Sequence, residues 1–291
     1  MMTRVRRHAA LLALAAIALL LAAGCNDDET TVVEPGDLAP PLGLYSITGD
    51  TEVVLFWWCA DYGDDLVGYK VYQAQGSYAG NPLQSVPSAF AVVDSIAVDP
   101  PCSALKTLTI SGLTNGTTYS FLVVAARDDD WNEISHTSNI IEDTPRYETA
   151  SVTRLYARQV DATRAGFELL DFSVVDCTDL VDYNTDTGFG DIMVERFDPA
   201  AGVRLWIDGI NDGWVQDIGY MSDWDQADEA PVQGYADAGH SLEALIGHVY
   251  AVWTGTNQYA KVQIVDLDTD DYEWIEIKAA YQPAPGVREY K

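Results

Sequence analysis

Positive charge is what this chain has least of: 16 Lys and Arg face 45 Asp and Glu, for a net charge of −29. So acidic a surface repels phosphate backbones and anionic lipid, which excludes nucleic acid as a partner. Cysteine and histidine are also scarce, with four of each. The patterns C-x-x-C, H-E-x-x-H and G-x-S-x-G do not occur, so the signatures of dithiol redox chemistry, zinc proteolysis and serine hydrolysis are missing. His136, His240 and His248 have no neighbouring ligand pattern, and paired carboxylates are too common here to identify anything. Catalytic residues: none emerge, and the chain reads as a protein that is not an enzyme. Beyond residue 23 there is no long apolar run, so no later segment is expected to span a bilayer as a helix.

One apolar run stands at the start. Arg4, Arg6 and Arg7 precede uninterrupted apolar residues from Ala9 to Ala23, then Gly24 and Cys25. This is the charged and apolar sequence of a secretory signal, too short for a membrane span. Ala22-Ala23-Gly24-Cys25 resembles the bacterial lipobox, in which the cysteine thiol receives a diacylglycerol before cleavage. The Leu that the pattern prefers at the first place sits one step earlier, at Leu21. The resemblance implies a signal peptide over 1–24, lipidation at Cys25 and a membrane partner through the lipid anchor. Asn26 is not the Asp that retains such lipoproteins at the inner membrane of enteric bacteria. The implied location is therefore the cell envelope, at the outer membrane or cell surface.

Residues 25–37 are acidic and polar and end in a Pro35-Gly36 breaker, as expected of a flexible tether. From 38 to 146 the pattern is all-β. Val53, Leu55 and Trp57 alternate along one stretch, and Val67, Tyr69 and Val71 along the next. Turn residues punctuate about seven such stretches, the signature of an immunoglobulin-like sandwich. The elements Pro40-Pro41 with Leu44, V-x-L-x-W at 53–57, G-Y-x-V-Y at 68–72, L-x-x-x-T-x-Y at 113–119 and F-x-V-x-A at 121–125 resemble a fibronectin type III domain. That resemblance makes Tyr119 the tyrosine corner, whose hydroxyl bonds to upstream backbone. It also puts Cys59 and Cys102 at the same end of two neighbouring strands. A disulfide is implied there, with two separate buried thiols as the alternative. Cys177 reads as a small buried hydrophobe.

Residues 147–285 read as a second β-rich domain, with 286–291 as a loose tail. Alternating stretches recur, and KVQIVDLDTDDYEWIEIKAAYQ reads as a hairpin around Thr269–Asp271. Ser241–Gly247 is expected to form a short helix with Ser241 as its N-cap. G-H-V-Y-A-V-W-T followed by Y-A-K resembles modules of uncharacterised bacterial surface lipoproteins. The string FELLDFSVVD…GDIMVE is similar to the HmuY family of haem-binding lipoproteins, which implies haem capture. No motif places that family's axial histidines on His240 or His248.

Two groups of side chains are candidate ligand sites. Trp206, Trp214 and Trp224 stand among Gly, Asp and Asn, and aromatic rings flanked by carboxylates and amides suit sugar recognition. Core packing is the ordinary alternative. Asp266, Asp268 and Asp270 space carboxylates two apart at a hairpin tip, where calcium is a possible cofactor. An EF-hand is excluded, because Asp271 stands where its glycine belongs and Ile277 where its glutamate belongs. Asp128-Asp129-Asp130 forms a similar charged loop. The expected function is a non-catalytic, membrane-anchored binding or adhesion module with an envelope protein or a glycan as partner. The alternatives are a carbohydrate-binding accessory module or part of a glycan-acting enzyme, and a lipoprotein that captures a small ligand such as haem.

Overall fold

The computed structural model describes residues 38–59, 66–98, 102, 104–127, 131–183, 186, 188–197, 204–211, 213–237 and 240–290. The lipidation residue Cys25, the signal and tether, and Asp128–Asp130 lie outside these. The described chain is nearly all β.

Eight strands form the first sandwich: β1 (Leu42–Thr48), β2 (Glu52–Trp58), β3 (Leu66–Gln75), β4 (Ala91–Ala97), β5 (Leu105–Ser111), β6 (Tyr119–Arg127), β7 (Glu133–Ile134) and β8 (Ile141–Asp143). One sheet has the order β1-β2-β5; the other runs β4-β3-β6-β7, with β8 also paired to β6. The alternation in β2 does what it predicts: Val53, Leu55 and Trp57 are buried between the sheets, against Tyr69, Val71, Phe121 and Val123. β6 is buried on both faces, because Leu122 and Val124 on its far side pack under Phe90, Ile140 and Val86. Gly68 is required in β3, since a Cβ there would lie 2.2 Å from the Ile96 carbonyl oxygen. The Thr114 N–H donates to the Tyr119 hydroxyl at 3.2 Å, which is the tyrosine corner. Cys59 and Cys102 are bridged, with Cα atoms 5.7 Å apart. Strand order, corner and core together make this a fibronectin type III-like, immunoglobulin-like sandwich.

Eleven strands follow: β9 (Tyr147–Glu148), β10 (Thr153–Tyr156), β11 (Gly166–Phe167), β12 (Val174–Val175), β13 (Ile192–Phe197), β14 (Arg204–Gly209), β15 (Trp214–Tyr220), β16 (Leu242–Glu243), β17 (His248–Trp253), β18 (Tyr259–Asp268) and β19 (Trp274–Gln282). They make two sheets, β10-β19-β18-β17-β15 with β9 on β19, and β12-β11-β13-β14-β16. All pairings are antiparallel, and β18 and β19 form the expected hairpin. The core between the sheets contains Leu155, Phe167, Ile192, Val194, Ile207, Tyr250, Val262 and Ile277.

Two expectations fail in this half. Ser241–Gly247 is not a helix. Leu242 and Glu243 form edge strand β16 on β14, and the chain then turns at Gly247, whose φ is +81°. Sheet pairing satisfies the backbone here, and Ile246 is exposed, so the segment has no continuous apolar face for a helix to bury. A second tyrosine corner fixes the turn: the Leu245 N–H donates to the Tyr250 hydroxyl at 3.0 Å, and that hydroxyl donates to the Glu243 carbonyl at 2.5 Å. Nor is the tail loose. Tyr290 is fully buried, its hydroxyl donates to the Ala260 carbonyl at 2.6 Å, and its N–H donates to the Asp228 carbonyl. It belongs to a cluster with Ala227, Val249, Ala251 and Tyr259 that covers the outer face of β17 and β18.

The connection between the sandwiches is buried. Arg146 has no exposed surface; its Nη1 donates to the Thr48 carbonyl at 3.0 Å and its Nη2 to Glu148 Oε1 at 2.7 Å. Asp143 accepts from the Thr48 hydroxyl at 2.6 Å, and Glu289 accepts from the Thr144 N–H at 3.2 Å. The Gln282 side chain donates to the Thr144 carbonyl.

Candidate functional site

The site forms where β13 and β14 pair. Their register sets Val194 opposite Ile207, Glu195 opposite Trp206 and Met193 opposite Asp208. Val194, Leu205 and Ile207 are in the core, so alternation sends Glu195, Trp206 and Asp208 to the outer face. There Phe197 meets the Trp206 ring edge-to-face, with centroids 5.3 Å apart. A cavity of about 280 Å³ opens beside the pair, lined by Glu195, Arg196, Phe197, Trp206, His240 and Ser241.

The two carboxylates have opposite surroundings. Glu195 accepts from the Tyr183 hydroxyl at 2.7 Å and lies 3.8 Å from Arg158 Nη1. Arg158 is itself held by the Cys177 carbonyl at 3.0 Å. Asp208 is 1% exposed, with the Ser241 hydroxyl beside its carboxylate. Burial pushes its carboxyl up to about 6; the nearby Ser241 hydroxyl pulls the other way, and the Glu195 charge adds to the rise. The Trp206 indole Nε1 is buried, with no hydrogen-bond partner among the described residues. Both groups stand on one face of one strand; Trp206 lines the cavity, and Asp208 is buried behind it, outside the lining. Unmatched buried polar atoms are costly and rare, which marks the place as unusual.

The three candidate tryptophans are not brought together. Trp206 lines the cavity. Trp214, on β15, meets Trp253 edge-to-face at 4.5 Å, and Trp253 stacks on Tyr259. Trp224 is only 9% exposed and lies under two ammonium groups, Lys261 at 4.2 Å and Lys278 at 4.3 Å from its ring. It belongs to the packing beside the joint rather than to an exposed ligand face. Lys261 is fully buried and donates to the Trp224 carbonyl at 3.1 Å; burial first, and then the Arg146 charge, lower its amine to about 7.

The hairpin carboxylates are engaged in their own turn. Asp268 Oδ1 accepts from the N–H groups of Asp270 and Asp271, and Asp266 Oδ1 from Leu267. Among the described residues no group of three or more His, Cys, Asp or Glu is placed to hold a metal ion. His240 lines the cavity, whereas His248 Nδ1 lies 3.0 Å from Asp217 Oδ2. Cys177 is buried, and burial pushes its thiol up to about 11, which suits a packing role.

A larger cleft of about 600 Å³ runs between the sandwiches, lined by Tyr45, Glu142, Asp228, Glu229, Arg288 and Glu289 among others. Several of its polar groups serve structure: Arg288 pairs with Glu229 at 2.5 Å, Glu142 accepts from the Ala79 N–H at 2.6 Å, and Glu289 ties down Thr144.

Asp208 and Glu195 were not singled out by the sequence. The signal for Asp208 was available in L-W-I-D-G, because two-residue alternation puts it on the face of Trp206. Which face looks outward is decided only by the packing of β14 on the other sheet.

No family model matches the chain, and no curated protein matches it. Among solved structures, a myokine structure is 15% identical with a TM-score of 0.25, covering 37% of this chain and 98% of that one. The twitchin kinase region from C. elegans is 13% identical with a TM-score of 0.27, covering 84% of this chain and 39% of that one. Titin kinase with its flanking domains is 12% identical with a TM-score of 0.26, covering 84% of this chain and 37% of that one. This chain therefore spans less than two fifths of those two kinase-region chains. Likenesses this low carry neither site nor function, and the architecture of this chain rests on its own strand order and core.

Proposed function

We propose that this chain is a non-catalytic, lipid-anchored protein of the cell envelope that holds a ligand on the outer face of its second sandwich. The lipobox-like Ala22–Cys25 supports the anchor, and the acidic stretch 25–37 would serve as the tether. The fibronectin type III-like sandwich acts as a stiff spacer, for which the buried Asp143–Arg146 connection is the reason. The observation that carries the binding role is the cavity lined by Trp206, Phe197, Glu195, Arg196, His240 and Ser241 on that face.

Capture from detergent-solubilised envelope tests this reading. The full chain is expected to enrich a defined component, and Trp206→Ala is expected to lose it. Equal capture by both, or none at several salt concentrations, sinks the assignment of binding to this cavity. A Soret band on adding haem that survives Trp206→Ala would favour the HmuY-like alternative.

A further inference from the structure

We propose that the outer face of the β1-β2-β5 sheet is an interface between two copies of this chain.

Burying Val53, Leu55 and Trp57 sends Val54, Phe56 and Trp58 to the other side of β2. Strand pairing extends each of these into a row across three strands: Leu42-Trp58-Leu105, Tyr45-Phe56-Thr107 and Ile47-Val54-Thr109. A bulge between Leu42 and Tyr45, where Gly43 has a φ of +62°, keeps both on this side. None of the nine residues is charged, although 21% of the chain is. Leu42 is 56% exposed, Trp58 51%, Tyr45 43% and Leu105 38%, and Tyr45 stacks on Phe56 with centroids 4.9 Å apart. Other apolar outer faces are covered by the chain itself. Phe90, Ile140 and Val86 pack on Leu122 and Val124 of the opposite sheet, and the Tyr290 cluster covers β17 and β18. The β1-β2-β5 face is open to solvent instead. A contiguous apolar patch of this kind marks a contact surface.

Charge and area select the occupant. A basic partner would find no carboxylate to pair with at the nine positions. An acidic partner, or an anionic lipid surface, would be repelled by the net charge of −29. A second copy brings an uncharged face of the same outline. The nine side chains expose on the order of 600 Å², so two copies would bury on the order of 1,200 Å², the lower end for a specific interface. The face also complements itself. A two-fold axis in its plane, running along the Tyr45-Phe56 row, lays the bulky Leu42-Trp58-Leu105 row of one copy on the smaller Ile47-Val54-Thr109 row of the other. The same axis sets Tyr45 and Phe56 against their own counterparts.

Sedimentation equilibrium of residues 26–291 tests this, since that span leaves out the proposed lipid and keeps the compact unit Leu38–Lys291 whole. A reversible dimer is expected. It is expected to tighten several-fold from about 0.05 M to about 0.5 M NaCl, because salt screens the repulsion of two acidic chains and leaves the apolar contact intact. Trp58→Ser is expected to weaken it about tenfold or more, since each dimer loses two rings. Leu42→Ser is expected to weaken it less. Val232→Ser, 78% exposed in the second half of the chain, is expected to change nothing. Trp58 and Leu42 are each more than half exposed, so their variants are expected to fold, and urea curves verify it.

A monomer at about 100 μM in every salt overturns the proposal. So does a dimer untouched by Trp58→Ser, or one that salt dissociates. Binding to phosphatidylethanolamine–phosphatidylcholine vesicles, lost in Trp58→Ser while the chain stays monomeric, overturns it too and gives the face to lipid.

Discussion

Asp208 is a carboxyl that the fold buries at a cost. Its carboxyl is pushed up to about 6 by burial, above the ordinary 3.8. A carboxyl raised in this direction gives its full share of stability below about pH 4 and loses it as pH rises through about 6. At neutral pH the native state therefore carries a buried anion, at a cost on the order of 2–3 kcal/mol. Asp208→Asn is expected to raise the urea midpoint at pH 7.5, and the gain is expected to vanish near pH 4. A lower midpoint at pH 7.5 would show that Asp208 stabilises the fold and would contradict a cost of its burial. Alternation puts it on the face of Trp206, but nothing in the sequence marks it as a buried one among the 45 acidic residues. Its distinction is its burial, which is set by chain far away in sequence.

At the scale of elements, two-residue alternation is readable wherever one face packs and the other meets solvent. β2 is the clear case, with Val53, Leu55 and Trp57 inward. β6 is less so, because residues far from it in sequence cover its second face. Ser241–Gly247 misleads because good helix formers sit at a sheet edge, where pairing with Trp206 and Ile207 decides the conformation. The corner at Tyr119 is legible from the fibronectin type III pattern. Its counterpart at Tyr250 is not, although Gly116 and Gly247 each stand three residues before the tyrosine with positive φ. Tyr119→Phe removes one partner of an N–H and is expected to cost about 1 kcal/mol. Tyr250→Phe leaves both the Leu245 N–H and the Glu243 carbonyl unmatched and is expected to cost more, about 2 kcal/mol. Urea denaturation of the two variants checks the order; a neutral Tyr250→Phe would contradict the corner.

At the scale of the whole molecule, the two sandwiches are joined through charge. Asp143 is pushed up to about 6 by burial, and Glu289 to about 8 by burial and by the Asp143 charge. Both contributions to stability are lost as pH rises from about 4 to about 8. Lys261, lowered to about 7, is shifted the opposite way, so its share returns as pH rises above that value. The joint is expected to be weakest near neutrality. Even there the full chain is expected to melt in one transition, because Arg146 is buried and paired. Arg146→Ala leaves Asp143 and Glu148 without their cation, at a cost of about 3 kcal/mol, and calorimetry is expected to show two separated transitions. A single unshifted transition would contradict a charged joint. None of this was legible in advance: T-P-R at 144–146 reads as an ordinary linker until Glu289 and Gln282 are seen to close on it.

The proposed role depends most on where the chain resides, and the intact mass of the native protein extracted from membranes tests that most directly. The expected species begins at Cys25 and carries the added mass of a diacylglycerol and its acyl chains. A species that retains Met1, or one that carries an unmodified thiol at Cys25, would contradict it.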